Sequence, residues 1–146
     1  MGTTNLTGPL VIGDRPTTAA NANQGFVYLA QSFLVSRDAT LVQTNSINLP
    51  INSQIVEIYA DVLTPYDSAT SATLTVGSAA AGIQYVTSGN AKSGGRNTTA
   101  HNAAQVTAMA NIGTNTGLFA TITSVGQPKV GLVRVTVQYI QTTAQD

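Results

Sequence analysis

The sequence predicts an all-β fold: an antiparallel β-sandwich, jelly-roll or Greek-key like, with an extended N-terminal arm. Several short runs alternate between apolar and polar residues with period two, the pattern of strands that cover a core with one face. Turns rich in Gly, Asn and Pro separate these runs at roughly even spacing. We therefore expect about seven or eight strands in a single domain over residues 26–146, preceded by the arm at residues 1–25.

The arm is rich in Thr, Asn, Ala, Gly and Pro. Its Leu10–Ile12 run is the one place in the arm where a short strand fits the pattern. Two interpretations remain open for this segment. Either the arm is disordered, as chain ends commonly are, or in an assembly it lies on a neighbouring subunit.

The first two strands of the domain follow the arm. Aromatic and β-branched residues dominate Phe26–Ser36, which favours a strand. Arg37–Asp38 is typical of a turn. A second strand is expected over Ala39–Ile47, with Leu41 and Val42 facing inward. The polar, proline-containing loop after it predicts a tight connection to the next strand.

The longest alternating run is Gln54–Thr64, and the sandwich is expected to pack around this strand. Its predicted core face consists of Val56, Ile58, Ala60 and Val62. Its opposite face carries Ile55, Glu57, Tyr59, Asp61 and Leu63. Because this second face is too apolar to be fully wet, we expect the arm, a long loop or another subunit to cover it. The two acids are expected to lie at an edge or to pair, with Arg134 as the partner across the sheet.

The middle of the chain gives shorter patterns. Strands are predicted at Ala72–Gly77 and at Ile83–Thr87. The polar run Ser88–Asn102 is predicted to be an exposed loop. Ala103–Ala110 is rich in alanine, so a short helix competes there with a strand, and the run is too short to decide between them.

Two strands close the domain. Leu118–Val125 and Val130–Ile140 both alternate regularly. In the second of them, the predicted core face consists of Val133, Val135, Val137 and Tyr139. A turn is predicted at Gly126–Pro128, and we expect the two strands to pair as a hairpin.

Charge is scarce in this chain. Charged residues make up 8% of it and the formal net charge is +0, whereas about 25% of residues are charged in a typical soluble domain. The chain therefore lacks the clustered Lys and Arg of a nucleic-acid interface. A neutral surface is easier to explain if other subunits bury much of it. No apolar run approaches the ~20 residues of a membrane helix, and the first residues do not have the form of a signal peptide.

The residue types needed for catalysis or metal binding do not come together in the sequence. There is no cysteine, and the single histidine, His101, lies in a Gly- and Asn-rich loop where a solvated or interfacial role is expected. Glu57 and Asp61 are separated by about 13 Å along one strand, too far for a glycosidase pair. Lys92 and Arg96 either contact an acidic partner surface or simply keep their loop soluble. We therefore predict no enzyme activity, no cofactor and no metal.

Three stretches resemble small virion proteins of tailed bacteriophages: LPINSQIVEIYADVLTPY, SATLTVGSAAAGIQYVTSGNAKSGGR and VRVTVQYIQ. The alternating strand, the short ATLTVG strand, the Tyr-containing strand, the K-x-GGR loop and the closing VRVTVxY strand are similar to those of head decoration, or cement, proteins. Related fibre and base-anchored virion domains share these features. The resemblance covers Leu49–Ile140, about two thirds of the chain.

The resemblance implies a homotrimeric jelly-roll module, without enzyme activity, that binds the outer surface of the major capsid protein shell and stabilises it. Such a protein is made in the bacterial host cytoplasm and ends up at the capsid surface of the virion. The candidate interface residues are Ile55, Tyr59, Leu63, Lys92 and Arg96. Two alternatives remain: a tail fibre or adaptor component, and a carbohydrate-binding sandwich that presents Tyr66 and Tyr85 to a host-surface glycan.

Overall fold

The computed structural model of the protein describes residues 27–98 and 100–141. Its strands are β1 Leu29–Ser36, β2 Val42–Asn48, β3 Gln54–Thr64, β4 Ser71–Gly77, β5 Val86–Asn90, β6 Gly95–Thr98, β7 Gly117–Val125 and β8 Leu132–Ile140. A short helix, α1 Ala103–Ala110, follows β6. The predicted arm, and the start of the predicted first strand at Phe26, lie outside the described residues.

The strands form two four-stranded antiparallel sheets that enclose one core. The first sheet has the order β1-β8-β3-β6, and the second has the order β2-β7-β4-β5. The chain changes sheet at every connection except that from β4 to β5, and this path is an eight-stranded jelly roll. The all-β sandwich predicted from the sequence is confirmed.

The connections define two ends of the sandwich, because successive strands run in opposite directions. The β1–β2, β3–β4, β5–β6 and β7–β8 connections lie at one end, which we call the four-loop end. The β2–β3 and β4–β5 connections and the segment with α1 lie at the other, which we call the helix end. The chain also enters β1 and leaves β8 at the helix end.

The core lies between the two sheets and is built from alternate residues of the long strands. The following predicted core positions are buried: Ile58, Ala60 and Val62 on β3, and Val133, Val135, Val137 and Tyr139 on β8. On β7, the alternate residues Leu118, Ala120 and Ile122 are buried as well. Apolar alternation identified these positions because the three strands are regular over most of their length.

A β-bulge near the start of β3 changes which side chains face the core. Ile55 pairs with Tyr139, whereas Glu57 pairs with the neighbouring Gln138, so Val56 is an extra residue on β3. Ile55 turns inward and keeps only 3% of its surface exposed, while Val56 is half-buried. The prediction that Ile55 faces outward and Val56 inward is therefore wrong, because strict alternation does not hold across a bulge.

β2 turns a polar residue inward. Gln43 is 2% exposed, while Leu41 and Val42, the predicted inward pair, are about half exposed. The Gln43 side-chain amide donates to the Thr40 carbonyl and to the Asp38 carboxylate. These local bonds satisfy the amide nitrogen, whereas the amide oxygen Oε1 is buried without a hydrogen-bond partner among the described residues. The inward prediction for Leu41 and Val42 is therefore wrong, since hydropathy does not register such local partners.

The run Ser88–Asn102, predicted as one exposed loop, contains the end of β5 and all of β6. The β6 sequence GRNT has no large apolar side chain and so gives no alternating pattern, and the strand is held by main-chain pairing with β3. Gly95 opens it with a φ of 106°, a conformation that favours glycine. The strand predicted at Ile83–Thr87 begins only at Val86, and Ile83 is exposed in the connection before it.

The segment Ala103–Ala110, for which helix and strand both fitted the sequence, is helical. The Asn102 side chain accepts a hydrogen bond from the Gln105 main-chain N–H at 2.9 Å, and the Gln105 side chain accepts one from the Asn102 N–H at 2.8 Å. This capping box fixes where the helix begins. Gln105 and Met109 are buried, and the helix packs against β3.

The hairpin predicted around Gly126–Pro128 is wrong, because β7 and β8 belong to different sheets. Alternation does not distinguish strands that pair side by side from strands that face each other across a core. The connection crosses the four-loop end, where Arg37 Nε donates to the Pro128 carbonyl at 2.8 Å. The Tyr66 ring packs so closely there that a Cβ on Gly131 would lie 2.5 Å from Tyr66 Cδ2.

Candidate interaction surfaces

An ion-paired row crosses the outer face of the first sheet. Asp61 on β3 lies opposite both Arg96 on β6 and Arg134 on β8. Its carboxylate accepts hydrogen bonds from Arg96 Nε at 2.7 Å and Nη2 at 3.2 Å, and from Arg134 Nη2 at 2.8 Å. The predicted pairing of Asp61 with Arg134 is confirmed. Arg96 is a second partner that sequence reasoning missed, because it assigned this residue to a loop.

The surroundings of Asp61 favour its charged form. Its side chain is only 11% exposed, yet hydrogen bonds from Arg96 and then Arg134 lower its pKa to about 2. Each arginine keeps about half of its side-chain surface exposed. The Arg96 guanidinium carbon also lies 4.2 Å from the centre of the Tyr59 ring, within range of a cation–π interaction. The row therefore presents two ordered guanidinium groups to the solvent.

The predicted interface residues do not all reach the surface. Ile55 is in the core, whereas Tyr59, Leu63, Lys92 and Arg96 keep exposed surface. Leu63 is 50% exposed because it is the extra residue of a second register shift, near the end of β3. Lys92 Nζ donates to a main-chain carbonyl of the β3–β4 connection. These four residues lie on β3, on β6 and in a connection of the four-loop end. Their part in an interface stays a prediction.

Large exposed apolar side chains gather at the ends of the sandwich rather than on its sheet faces. Those at the four-loop end are Leu41, Val42, Leu63, Val125 and Val130, and those at the helix end are Tyr28, Ile51, Ile83 and Val106. Within the described residues, Leu34 is the one such side chain in the middle of a sheet face. Clustered exposed apolar residues are typical of contact surfaces. Sequence reasoning missed this distribution because it depends on the topology.

Charged side chains at the four-loop end are tied to the main chain of its connections. The Asp38 carboxylate accepts hydrogen bonds from the Thr40 hydroxyl and N–H. The Asp67 carboxylate accepts from the N–H groups of Lys129 and Val130, at 2.6 and 3.2 Å. These bonds lower the pKa of both acids. The loops are thus ordered before any partner binds, which reduces the entropic cost of binding.

The outer face of the second sheet has a different chemistry. Its outward positions on β2, β4 and β7 are uncharged: Val42, Thr44, Ser46, Ser71, Thr73, Thr75, Phe119, Thr121, Thr123 and Val125. The hydroxyl oxygens of Thr44 and Thr121 are 2.9 Å apart, and the Ala81 N–H donates to Thr121 Oγ1 at 2.9 Å. The β4–β5 connection therefore covers the middle of this face. Of the outer faces of the two sheets, only that of the first sheet carries charged side chains among the positions described above.

His101 lies at the helix end between two oxygen acceptors. Its Nδ1 is 3.0 Å from the Tyr85 carbonyl oxygen and its Nε2 is 3.2 Å from Glu57 Oε1. The side chain is mostly buried, so of the two roles expected for this residue, solvated or interfacial, the solvated one is wrong. Both neighbouring atoms are hydrogen-bond acceptors, so a ring nitrogen that carries a proton donates to its neighbour. The residue links the segment before α1 to β3 and to the β4–β5 connection.

The two tyrosines predicted as a sugar platform are buried. Tyr66 is 1% exposed and Tyr85 is 3% exposed. Burial raises the pKa of Tyr66 to about 12 and also raises that of Tyr85. A sugar-stacking ring needs an accessible face, so the prediction that these tyrosines present a glycan site is wrong.

Two grooves flank α1 at the helix end. One of about 210 Å³ separates α1 from the start of β3, and one of about 300 Å³ separates α1 from β5 and the connection before it.

Over residues 27–98 and 100–141, no group of three or more His, Asp and Glu side chains lies close enough to hold a metal ion. In the same part of the chain, no helix is long and apolar enough to cross a membrane.

Comparisons with known proteins find likeness in structure only. No family model matches the chain, and no curated protein matches its sequence. The fold is similar to a chain in the capsid of Ralstonia phage GP4, with a TM-score of 0.52 and 18% identity over 90% of this chain and 91% of that one. It is equally similar to a chain of the cyanophage Pam1 capsid asymmetric unit, with a TM-score of 0.52 and 18% identity over 90% of this chain and 99% of that one. The likeness shows a shared fold.

Proposed function

We propose that the protein is a structural, non-enzymatic component of a phage virion: a decoration protein that binds the outer surface of the major capsid protein shell and stabilises it. The observation that carries this proposal is the fold likeness to chains of two phage capsids, which extends over 90% of the chain. The sequence resembles head decoration proteins, and the capsid source of both structural neighbours favours a place in the shell over one in the tail. On this proposal the protein is made in the host cytoplasm and resides at the capsid surface.

The proposed contact with the shell is the four-loop end together with the adjoining parts of β3 and β6. Leu63 and Val130 supply apolar contact area there. Lys92 and Arg96 lie beside them and suit acidic groups on the partner. An apolar centre with a polar rim is the usual composition of a protein interface. The hydrogen-bonded loops of this end need little further ordering on binding.

A homotrimer is the proposed oligomeric state. The part of the second sheet's uncharged outer face that the β4–β5 connection leaves open suits contact between copies, because no ionised group loses its hydration there. Three linked copies would then bind the shell with an avidity that one small contact lacks.

Binding to capsids tests the proposal. Purified protein is mixed with capsids of its phage assembled without it, and cryo-electron microscopy is expected to show many regularly placed copies on the outside of the shell. Leu63→Asp is expected to weaken co-sedimentation at least about tenfold. Ile83→Asp is the matched control, since Ile83 is 54% exposed at the opposite end.

Three results would count against the proposal. Density confined to the tail would favour the fibre or adaptor alternative. If Leu63→Asp and Ile83→Asp weakened capsid binding equally, the four-loop end would not be the contact with the shell. The trimer would be excluded if the purified protein were a monomer in light scattering and if cryo-electron microscopy showed single copies on the capsid.

A further inference from the structure

The groove between α1 and the start of β3 is lined chiefly by apolar side chains. Ile55 and Met109 are its buried lining, and Val56 and Val106 are its more exposed lining. Its volume of about 210 Å³ exceeds the roughly 150 Å³ of an engineered apolar cavity that holds benzene. Gln54 and His101 are the polar side chains of the lining, which contains no Lys, Arg, Asp or Glu. The groove therefore suits an uncharged, branched aliphatic occupant.

The chain enters the sandwich beside this groove. Leu29, the first residue of β1, and Ile55, in the groove lining, both pair with Tyr139 of β8. Two strand spacings of about 4.8 Å each separate the main chains of Leu29 and Ile55. The segment that precedes β1 therefore starts about 10 Å from the groove.

Residues 1–25 contain one run of consecutive large apolar residues, Leu10–Ile12, bounded by Pro9 and Gly13. Residues 13–26 link the run to the described structure. Fully extended, a segment of this length spans up to about 45 Å. The run can thus reach the groove of its own chain without strain, and the tether keeps it at a high local concentration.

We propose that Leu10–Ile12 docks into the α1–β3 groove of its own chain. Docking covers Val56 and Val106, whose side chains otherwise keep apolar surface in water. It also anchors the N-terminal segment at the helix end, opposite the four-loop end. The inference does not depend on the proposed function, because it concerns contacts within one copy.

Disulfide trapping in the full chain tests this, because the natural chain has no cysteine. The variant Val11→Cys/Val106→Cys is expected to form an intrachain disulfide under mild oxidation, seen as a shifted monomer band on a non-reducing gel. The rate should exceed that of Val11→Cys/Val125→Cys at least about tenfold. Val125 and Val106 are similarly exposed, at 53% and 55%, but Val125 lies at the four-loop end.

Specificity is tested by a further substitution in the trapping variant. Ile12→Asp is expected to slow disulfide formation, whereas Ala19→Asp, in the linker, should leave the rate unchanged. Equal rates for the Val106 and Val125 pairs, or no effect of Ile12→Asp, would overturn the proposal. A disulfide that links two chains would overturn it in favour of docking on a second copy.

Discussion

Asp61 accepts a hydrogen bond from Arg134 at 2.8 Å across β3 and β8, and the same carboxylate accepts two more from Arg96 on β6. One acid therefore joins three of the four strands of the first sheet on its outer face. β6 is only four residues long, so its main-chain ladder is short. We infer that the ion pairs to Asp61 do much to hold β6 at the edge of the sheet.

Replacing this acid should destabilise the fold. Asp61→Asn leaves two guanidinium groups facing each other without an anion between them, so we expect the free energy of unfolding to fall by about 1–2 kcal/mol, measured by urea unfolding. Asp146→Asn is the control, since it changes the net charge equally at the last residue of the sequence. A loss no larger than that of Asp146→Asn would show that the ion pairs of Asp61 do not stabilise the fold.

The same carboxylate should make stability depend on pH in the acid range. The pKa of Asp61 is about 2 in the folded protein, against about 3.9 in an unfolded chain. A group with a lowered folded pKa stabilises the protein above its unfolded pKa, and this contribution is lost as the pH falls from about 4 to about 2. The stability difference between the natural protein and Asp61→Asn should therefore be constant from pH 7 to 5 and shrink below pH 4. Urea midpoints for both proteins measure it, and a constant difference down to pH 2 would contradict the assignment.

The fold was predictable where strands are long and regular. On β3, β7 and β8, alternation identified the core face because each of these strands packs its apolar side on one continuous core. It failed at Ile55 and Val56, where a single extra residue interrupts the register. It also could not detect β6, whose residues contribute main-chain pairing rather than apolar area. The assignment of strands to sheets depends on contacts between residues that are distant in the sequence. Alternation does not reveal such contacts, so the sequence left both a jelly roll and a Greek key open.

The candidate surfaces were predictable only in part. Opposite charges on two alternating strands predicted the pairing of Asp61 with Arg134, because cross-strand neighbours on one face meet. The position of Arg96 over Tyr59 required the register of β6, which its sequence does not reveal. His101 was expected in solvent because polar residues surround it in the sequence, whereas its two acceptors, Glu57 and the Tyr85 carbonyl, are distant along the chain.

An asparagine side chain bridges the two sheets at each open side of the sandwich. Asn45 Nδ2 on β2 donates to the Leu34 carbonyl on β1 at 2.8 Å, and Asn97 Nδ2 on β6 donates to the Asn90 carbonyl on β5 at 2.9 Å. These bonds occupy edge carbonyls that could otherwise pair with another chain.

Removing such a bridge should weaken the fold and open an edge. Asn45→Ala is expected to cost about 1 kcal/mol of unfolding free energy in urea, because the Leu34 carbonyl loses its partner. It should also speed aggregation, followed by light scattering. Asn48→Ala, an exposed position on the same strand, is the control. Identical behaviour of the two variants would mean that the bridge contributes nothing.

The core face of β3 is the place where a charged side chain should be least tolerated. Ile58 is 2% exposed between the sheets, and Ile58→Asp would place an ionised group there without a partner. The cost, more than about 4 kcal/mol, is a large part of the 5–15 kcal/mol that stabilises a typical domain. We therefore expect loss of the cooperative thermal transition and of the folded circular dichroism spectrum. Leu63→Asp introduces the same side chain on the same strand at a half-exposed position and should retain both signals. A folded Ile58→Asp protein, or an unfolded Leu63→Asp protein, would contradict the assignment of faces on β3.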